Sequence, residues 1–320
     1  MKLLGRYLGK LVFGFLALGL VLSGCSAADG APVTFPPSPS SSIQPSGTPT
    51  QKNAQPASVD HVVILLEENQ NSTTILGNPA APYINKLAKD NALATNYRAV
   101  SHPSLPNYLA LTSGTTAGFT NDCDPGPGCT AQVPNITDSI EKSGRTWKMY
   151  AESMPKACTP RNSGLYGVRH NPFMYYPSVT NNAASCAKHV VPLTQLATDL
   201  KSAATLPDYV FISPNTCNDM HDCPVATGDT WLSHQVPKIL DSPAFTTQNS
   251  LLALTWDEDE SANNTVVTIF AGPAAKKSYE SAVPYTHYSL LRTIENLWGL
   301  APLTQNDKNA TDMSDMLRTR

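Results

Sequence analysis

Three stretches of this chain end an apolar run on oxygen or nitrogen donors. HVVILLE (61–67) gives way to Glu68 and Asn69. DYVFIS (208–213) leads to a segment holding Asn215, Asp219 and His221. SLLALTW (250–256) runs into Asp257, Glu258, Asp259 and Glu260. One acidic run end is ordinarily a solvated turn. Three brought together would concentrate negative charge, and such a patch calls for a cation. Carboxylate and amide oxygens are hard donors suited to Ca2+, Mg2+ or Mn2+; with histidine beside them they also accept Zn2+. Glu67 neighbours Glu68 but, on a strand, should point to the opposite face.

The elements that would position these groups follow from the pattern of the chain. The runs at 61–67, 146–150, 208–213, 250–256 and 265–271 are mostly apolar on both faces, as buried strands of a parallel sheet are. Between them, helical patterns lie over 82–92, 135–144, 193–203, 229–240 and 288–299. Asn135 with Asp138 and Ser289 with Arg292 stand near helix starts, and Gly144 and Gly299 read as stops. Alternating strands and helices predict an α/β fold, with a mainly parallel central sheet and helices on both faces. In such sheets ligands bind at the carboxyl ends of the strands, where the three donor clusters stand.

The ends of the chain carry other information. MKLLGRYLGK is basic, LVFGFLALGLVL is apolar but short for a membrane span, and Leu22-Ser23-Gly24-Cys25 follows. The arrangement resembles a bacterial lipobox. It implies a signal peptide over 1–24, lipidation of Cys25, and a chain exported and anchored to the outer face of the cell membrane, or secreted if an ordinary signal is cut nearby. Residues 25–58 are rich in Pro, Ser, Thr and Gly and read as a tether. The folded domain is expected over 59–304, with 305–320 as a tail. With Cys25 set aside, Cys123, Cys129, Cys158, Cys186, Cys217 and Cys223 suggest disulfides in an exported chain. Six cysteines allow fifteen connectivities; the simplest joins sequence neighbours. A net charge of −3 without a basic stripe gives no reason to expect nucleic acid as a partner.

Several segments, in order, resemble the bacterial phosphoesterase family of acid phosphatases and phospholipases C, within the alkaline-phosphatase-like superfamily. They are Glu68-Asn69, SHPSLPNY (101–108) with LALTSG (109–114), VRHNPF (168–173), Pro214 through Asp222, Trp256-Asp257-Glu258, and THYSLLR (286–292). The likeness is greatest to secreted acid phosphatases, including phosphatidylinositol 3-phosphatases. It implies Ser104 as nucleophile, with Ser101 the nearest alternative. A serine at a helix start lies where free N–H groups favour a phosphate, although such a serine also serves as a simple cap.

The resemblance further implies that Glu68, Asn69, Asp257 and Glu258 ligate a divalent metal ion, with Asp219 and His221 as a central pair. The wider superfamily has Asp-x-x-x-His where this chain has Asn215, Asp219 and His221, leaving the ligand among these three open. His287 is expected to meet the metal or the phosphoryl oxygen. Asn121, Arg169 and His170 are expected to contact substrate; an arginine grips phosphate with two hydrogen bonds. Together these imply a metal-dependent phosphomonoesterase acting through a phosphoserine, on a phosphate monoester that includes phosphoinositides as one class. A phospholipase C-type phosphodiesterase and an inactive surface binding lipoprotein are the alternatives.

Overall fold

The computed structural model describes residues 58–319. The expected signal segment, Cys25 and all but the last residue of the tether lie outside the described residues. Nine strands form one sheet: β1 (Val62–Glu67), β2 (Ala92–Arg98), β3 (Trp147–Ala151), β4 (Val190–Pro192), β5 (Tyr209–Ser213), β6 (Leu251–Trp256), β7 (Thr265–Ala271), β8 (Tyr279–Ser281) and β9 (Tyr285–Thr286). Their order is β4-β3-β5-β1-β6-β7-β2-β8, with β9 also paired to β2. All pairings are parallel except those of β7 with β6 and β2.

β1 lies at the centre between β5 and β6, and all six of its residues are buried. Burying each such Val, Leu or Ile stabilises the fold by about 1.5–3 kcal/mol. The placement of β1 brings the three donor-bearing strand ends side by side. Pairing continues past them: Glu68 N donates to Asp219 O (2.8 Å), and Asp257 N donates to Glu67 O (3.0 Å).

Four helices pack in two pairs, Pro82–Asp90 with Val225–Leu240 and Ser104–Ser113 with His287–Trp298. The Ser104–Ser113 helix is buried at every residue, so its sequence shows no amphipathic stripe. It ends at Gly114, whose φ of 70° suits glycine. A Cβ there would also meet the Asp307 carboxylate. At Ile136–Lys142, Asn135 and Asp138 form a capping box.

Three expectations change. The helix read over 193–203 shrinks to a 3-10 turn at Leu193–Gln195 and one α-helical turn at Leu196–Asp199. The sequence reading extends a helix through residue 92, whereas Asn91 ends it and ALATNYR forms β2. The domain also continues beyond 304. Asp307, Met313 and Met316 are fully buried, and Lys276 N donates to Met316 O. Residues 305–319 are anchored to the core through Asp307, Met313, Met316 and Leu317 and do not form a free tail. Disulfides join Cys123 to Cys129, Cys158 to Cys186 and Cys217 to Cys223.

Candidate active site

Ser104 opens the buried helix that follows β2, and it points at the end of β1. Its hydroxyl lies 3.0 Å from Glu68 Oε2 and 3.3 Å from Glu258 Oε1. One turn on, Tyr108 donates to the other Glu68 oxygen, Oε1, at 2.6 Å. Residues four apart share one helix face, so a single helix grips both oxygens of one carboxylate. Ser101, the nearest alternative in the sequence, and Ser113 of the same helix lie elsewhere. Ser101 Oγ donates to His102 O, and Ser113 Oγ donates to Leu109 O at the far end of the helix.

Asn69 takes up a left-handed φ of 56° at the end of β1, a conformation asparagine tolerates. This turns its backbone N–H toward Asp257 Oδ1, at 3.2 Å. Asp257 and Glu258 leave β6 alongside. From β5, Asp219 accepts from its own loop, His221 N to Oδ1 at 2.8 Å, and its Oδ2 meets His170 Nδ1 at 3.0 Å. Asn215 takes no part in the cluster: its Oδ1 accepts from Cys217 N and Asn218 N and so shapes the loop. The Cys217–Cys223 disulfide closes that loop around Asp219 and His221.

The electrostatics of this cluster are unfavourable without a cation. Burial, then the neighbouring Asp257, holds the Glu68 carboxyl well above its ordinary range. Burial and then Glu258 do the same to Asp257. Burial raises Asp219 to about 7 and Glu258 to about 8, and it lowers His170. Two buried atoms, Asp257 Oδ2 and His170 Nε2, have no hydrogen-bond partner among the described residues.

The histidine tautomers sharpen this. With Nδ1–H donating to Asp219 Oδ2, His170 Nε2 bears a lone pair, 3.3 Å from Glu68 Oε1. Arg169 Nη2 donates to His221 Nε2 (3.0 Å), which places the His221 hydrogen on Nδ1, toward Asp222 Oδ1 at 2.7 Å. His170 therefore turns a free Nε2 lone pair inward, whereas the His221 Nε2 lone pair is engaged by Arg169 and becomes a ligand only once that guanidinium turns to another partner; both rings are backed by carboxylates, the usual support of a metal-binding histidine. Donor atoms of Glu68, His170 and His221 all lie within 4.8 Å of one another. This donor set fits a divalent cation. The same electron-rich cluster explains why the carboxylates are raised so far in its absence.

Several expected residues stand apart. His287 is buried beneath Asp257, with Nε2 on the Asp257 carbonyl (2.6 Å) and Nδ1 on Tyr97 OH (3.0 Å). Both ring nitrogens are taken, so it has no lone pair for a metal and no hydrogen for a phosphoryl oxygen. It supports the backbone of Asp257. Asn121 is exposed, and its side chain bonds Thr120. Its neighbour Asp122 reaches the site instead: Oδ1 accepts from Leu105 N (2.9 Å), and Oδ2 lies 3.5 Å from Arg169 Nε. His170 sits among the metal-type donors rather than at a substrate surface, and Arg169, one-quarter exposed, is the cation beside them. Glu67 points away from Glu68's partners and is fully buried, its oxygens unpartnered among the described residues. Tyr108, Asp122 and Asp222 carry no chemical signature in the sequence, although the spacing of Tyr108 from Ser104 is legible once the helix is drawn.

Residues 74–301 match the phosphoesterase family. The chain is 35% identical over 259 residues to a phosphatidylinositol-3-phosphatase of Mycobacterium tuberculosis, covering 80% of this chain and 82% of that one. It is 33% identical over 238 residues to a phosphate-repressible acid phosphatase of Penicillium chrysogenum, covering 71% of this chain and 57% of the fungal protein. Among solved structures, a Vibrio parahaemolyticus protein of the alkaline phosphatase superfamily shares the fold, with TM-score 0.57, 11% identity, and coverage of 78% of this chain and 69% of that one. A carboxylate-and-histidine cluster facing a helix-borne serine, on this sheet and with these relatives, has one reading: the chain belongs to the phosphoesterase family and is a hydrolase of phosphoric ester bonds.

Proposed function

We propose that the chain is an exported, metal-dependent phosphomonoesterase that works through a phosphoserine at Ser104. The observation that carries this reading is the placement of Ser104 Oγ between Glu68 and Glu258 at the start of a buried helix. Glu68, His170 and His221 would hold a divalent cation on one side of the site, with Asn69, Asp257 and Glu258 about the serine on the other. When bound, the cation supplies positive charge that favours the serine alkoxide and the phosphoryl oxygens.

The chain's own residues do the rest. Glu68 and Glu258 accept the hydrogen of Ser104 and aim its oxygen. Asp122 holds Leu105 N–H in the first turn of the helix, where the helix dipole favours an anion. Arg169, kept between Asp122 and His221, lies where a guanidinium would bind the phosphoryl group. Ser104 Oγ attacks phosphorus and the P–O bond to the leaving group breaks. Water then cleaves the phosphoserine and releases phosphate.

The Mycobacterium tuberculosis relative makes a phosphoinositide the first substrate to test. The three disulfides suit an oxidising compartment, in keeping with export and anchoring through Cys25. In Ser104→Ala, turnover of p-nitrophenyl phosphate should fall by about a thousandfold or more while the thermal transition is kept. Unchanged turnover would remove the phosphoserine from the scheme.

A further inference from the structure

The geometry points to His102 as a positioning residue that holds Glu258 against the nucleophile and acts on the attacking side of the reaction. The inference rests on the phosphoserine reading above. His102 Nδ1 lies 2.5 Å from Glu258 Oε2, while Oε1 of the same carboxylate lies 3.3 Å from Ser104 Oγ. The far nitrogen, Nε2, is 3.3 Å from Ser261 O. A carbonyl only accepts, so Nε2 carries a hydrogen there, and Nδ1 and Glu258 Oε2 share a second hydrogen between them. An imidazole held at both nitrogens cannot pivot. It fixes one Glu258 oxygen, and the carboxylate plane then directs the other at the serine.

The backbone that carries His102 is itself tied down. Asn107 Oδ1 accepts from Val100 N and Ser101 N, both at 3.0 Å. Ser101 O accepts from Asn107 Nδ2 (2.9 Å) and from Asn264 Nδ2 (2.8 Å). A residue two positions before the nucleophile is therefore set by contacts to its own helix and to the turn after β6. Glu258 is almost fully buried, whereas the His102 side chain is 47% exposed.

The side of the reaction follows from the path of displacement. In phosphoryl transfer the attacking and leaving oxygens stand roughly in line across phosphorus. His102 touches the group bonded to Ser104, so it lies with the nucleophile, away from the departing oxygen. Its loss slows attack without regard to how good the leaving group is.

The test uses the full chain and two substrates, p-nitrophenyl phosphate with a good leaving group and glycerol phosphate with a poor one. In His102→Ala, kcat/KM should fall by about 10–100-fold, the usual cost of removing a supporting partner, and by the same factor on both substrates. His102→Asn, which offers an amide nitrogen near the position of Nδ1, should recover most of it, and both variants should keep the wild-type thermal transition. Wild-type kcat/KM in His102→Ala, a loss confined to glycerol phosphate, or an asparagine variant no better than alanine would each overturn the inference. The underlying reading fails separately: an active Ser104→Ala sinks the phosphoserine, whereas an inactive Ser104→Ala beside a fully active His102→Ala sinks only the role of His102.

Discussion

Ser104 and Tyr108 donate to opposite oxygens of the Glu68 carboxylate, at 3.0 and 2.6 Å. Tyr108 also stacks on His170, with ring centroids 5.6 Å apart and planes within 5°. The tyrosine thus orients two metal-type donors while its hydroxyl stays protonated, since burial and then the neighbouring carboxylates push its pKa well up. Tyr108→Phe keeps the stack and removes the hydrogen bond. Its Mn2+ affinity, read by calorimetry on the metal-free protein, should fall about tenfold, and an unchanged affinity would mean that Glu68 needs no such anchor.

Chelator dialysis should abolish turnover, and added Mn2+ or Zn2+ should restore it. The thermal transition should move as well. A ligand that binds only the native state at about 100 times its Kd adds about 2.7 kcal/mol of stability. Calorimetric scans before and after dialysis check this; identical transitions together with surviving activity would count against a resident cation.

His287 separates support from ligation. In His287→Phe, the Asp257 carbonyl and the Tyr97 hydroxyl lose buried partners, at about 1–3 kcal/mol for each unsatisfied group. The urea midpoint should drop while Mn2+ affinity changes less than in Glu68→Gln. A larger affinity loss in the histidine variant would restore it to the ligand set.

The extent to which the sequence discloses this site follows from what each residue contacts. Strands β1, β5, β6 and β7 are apolar on both faces and stand out as runs, so the donors at three of their ends were legible as a cluster. β2 was not, because ALATNYR has few β-branched or aromatic residues and follows a helix directly. The Ser104–Ser113 helix is buried all round and shows no stripe. The role of His287 turned on which atoms its nitrogens face, and a histidine at a helix start looks the same whether it supports or ligates. Asp122 and Asn121 are neighbours in a turn, and only the fold decides which of them reaches Leu105 N. His170 depended on a loop far from β1 in the chain meeting Glu68 in space.

The Cys217–Cys223 link should matter to the site more than to the fold. It closes a short loop on Asp219 and His221. Replacing both cysteines by serine should cost about 2–4 kcal/mol at most and should also weaken Mn2+ binding, since the loop then samples other arrangements. Calorimetry on the folded double variant checks this; unchanged affinity would show that the backbone bonds of the loop, such as Asp222 N to Thr216 O, suffice alone.

Glu295 gives the fold a pH dependence of its own, remote from the cation cluster. It is fully buried. Burial, followed by hydrogen bonding with Asp307, raises its carboxyl from the ordinary range to about 8, against a smaller lowering by Arg292. Leu303 N is shared between Glu295 Oε1 (3.2 Å) and Asp307 Oδ2 (2.7 Å). A carboxyl whose pKa is higher in the folded chain binds its proton more tightly there than in the unfolded chain. Its contribution to stability is therefore fully present below the unfolded value, about 4.3, and is lost as pH rises through about 8. Between these limits the loss approaches about 1.4 kcal/mol per pH unit. Glu295→Gln cannot titrate, so the stability of wild type relative to this variant should fall steadily from pH 5 to pH 8. Urea denaturation of both proteins across that range measures the difference with all other groups cancelling, and a difference independent of pH would show that Glu295 is ionised in the folded chain throughout.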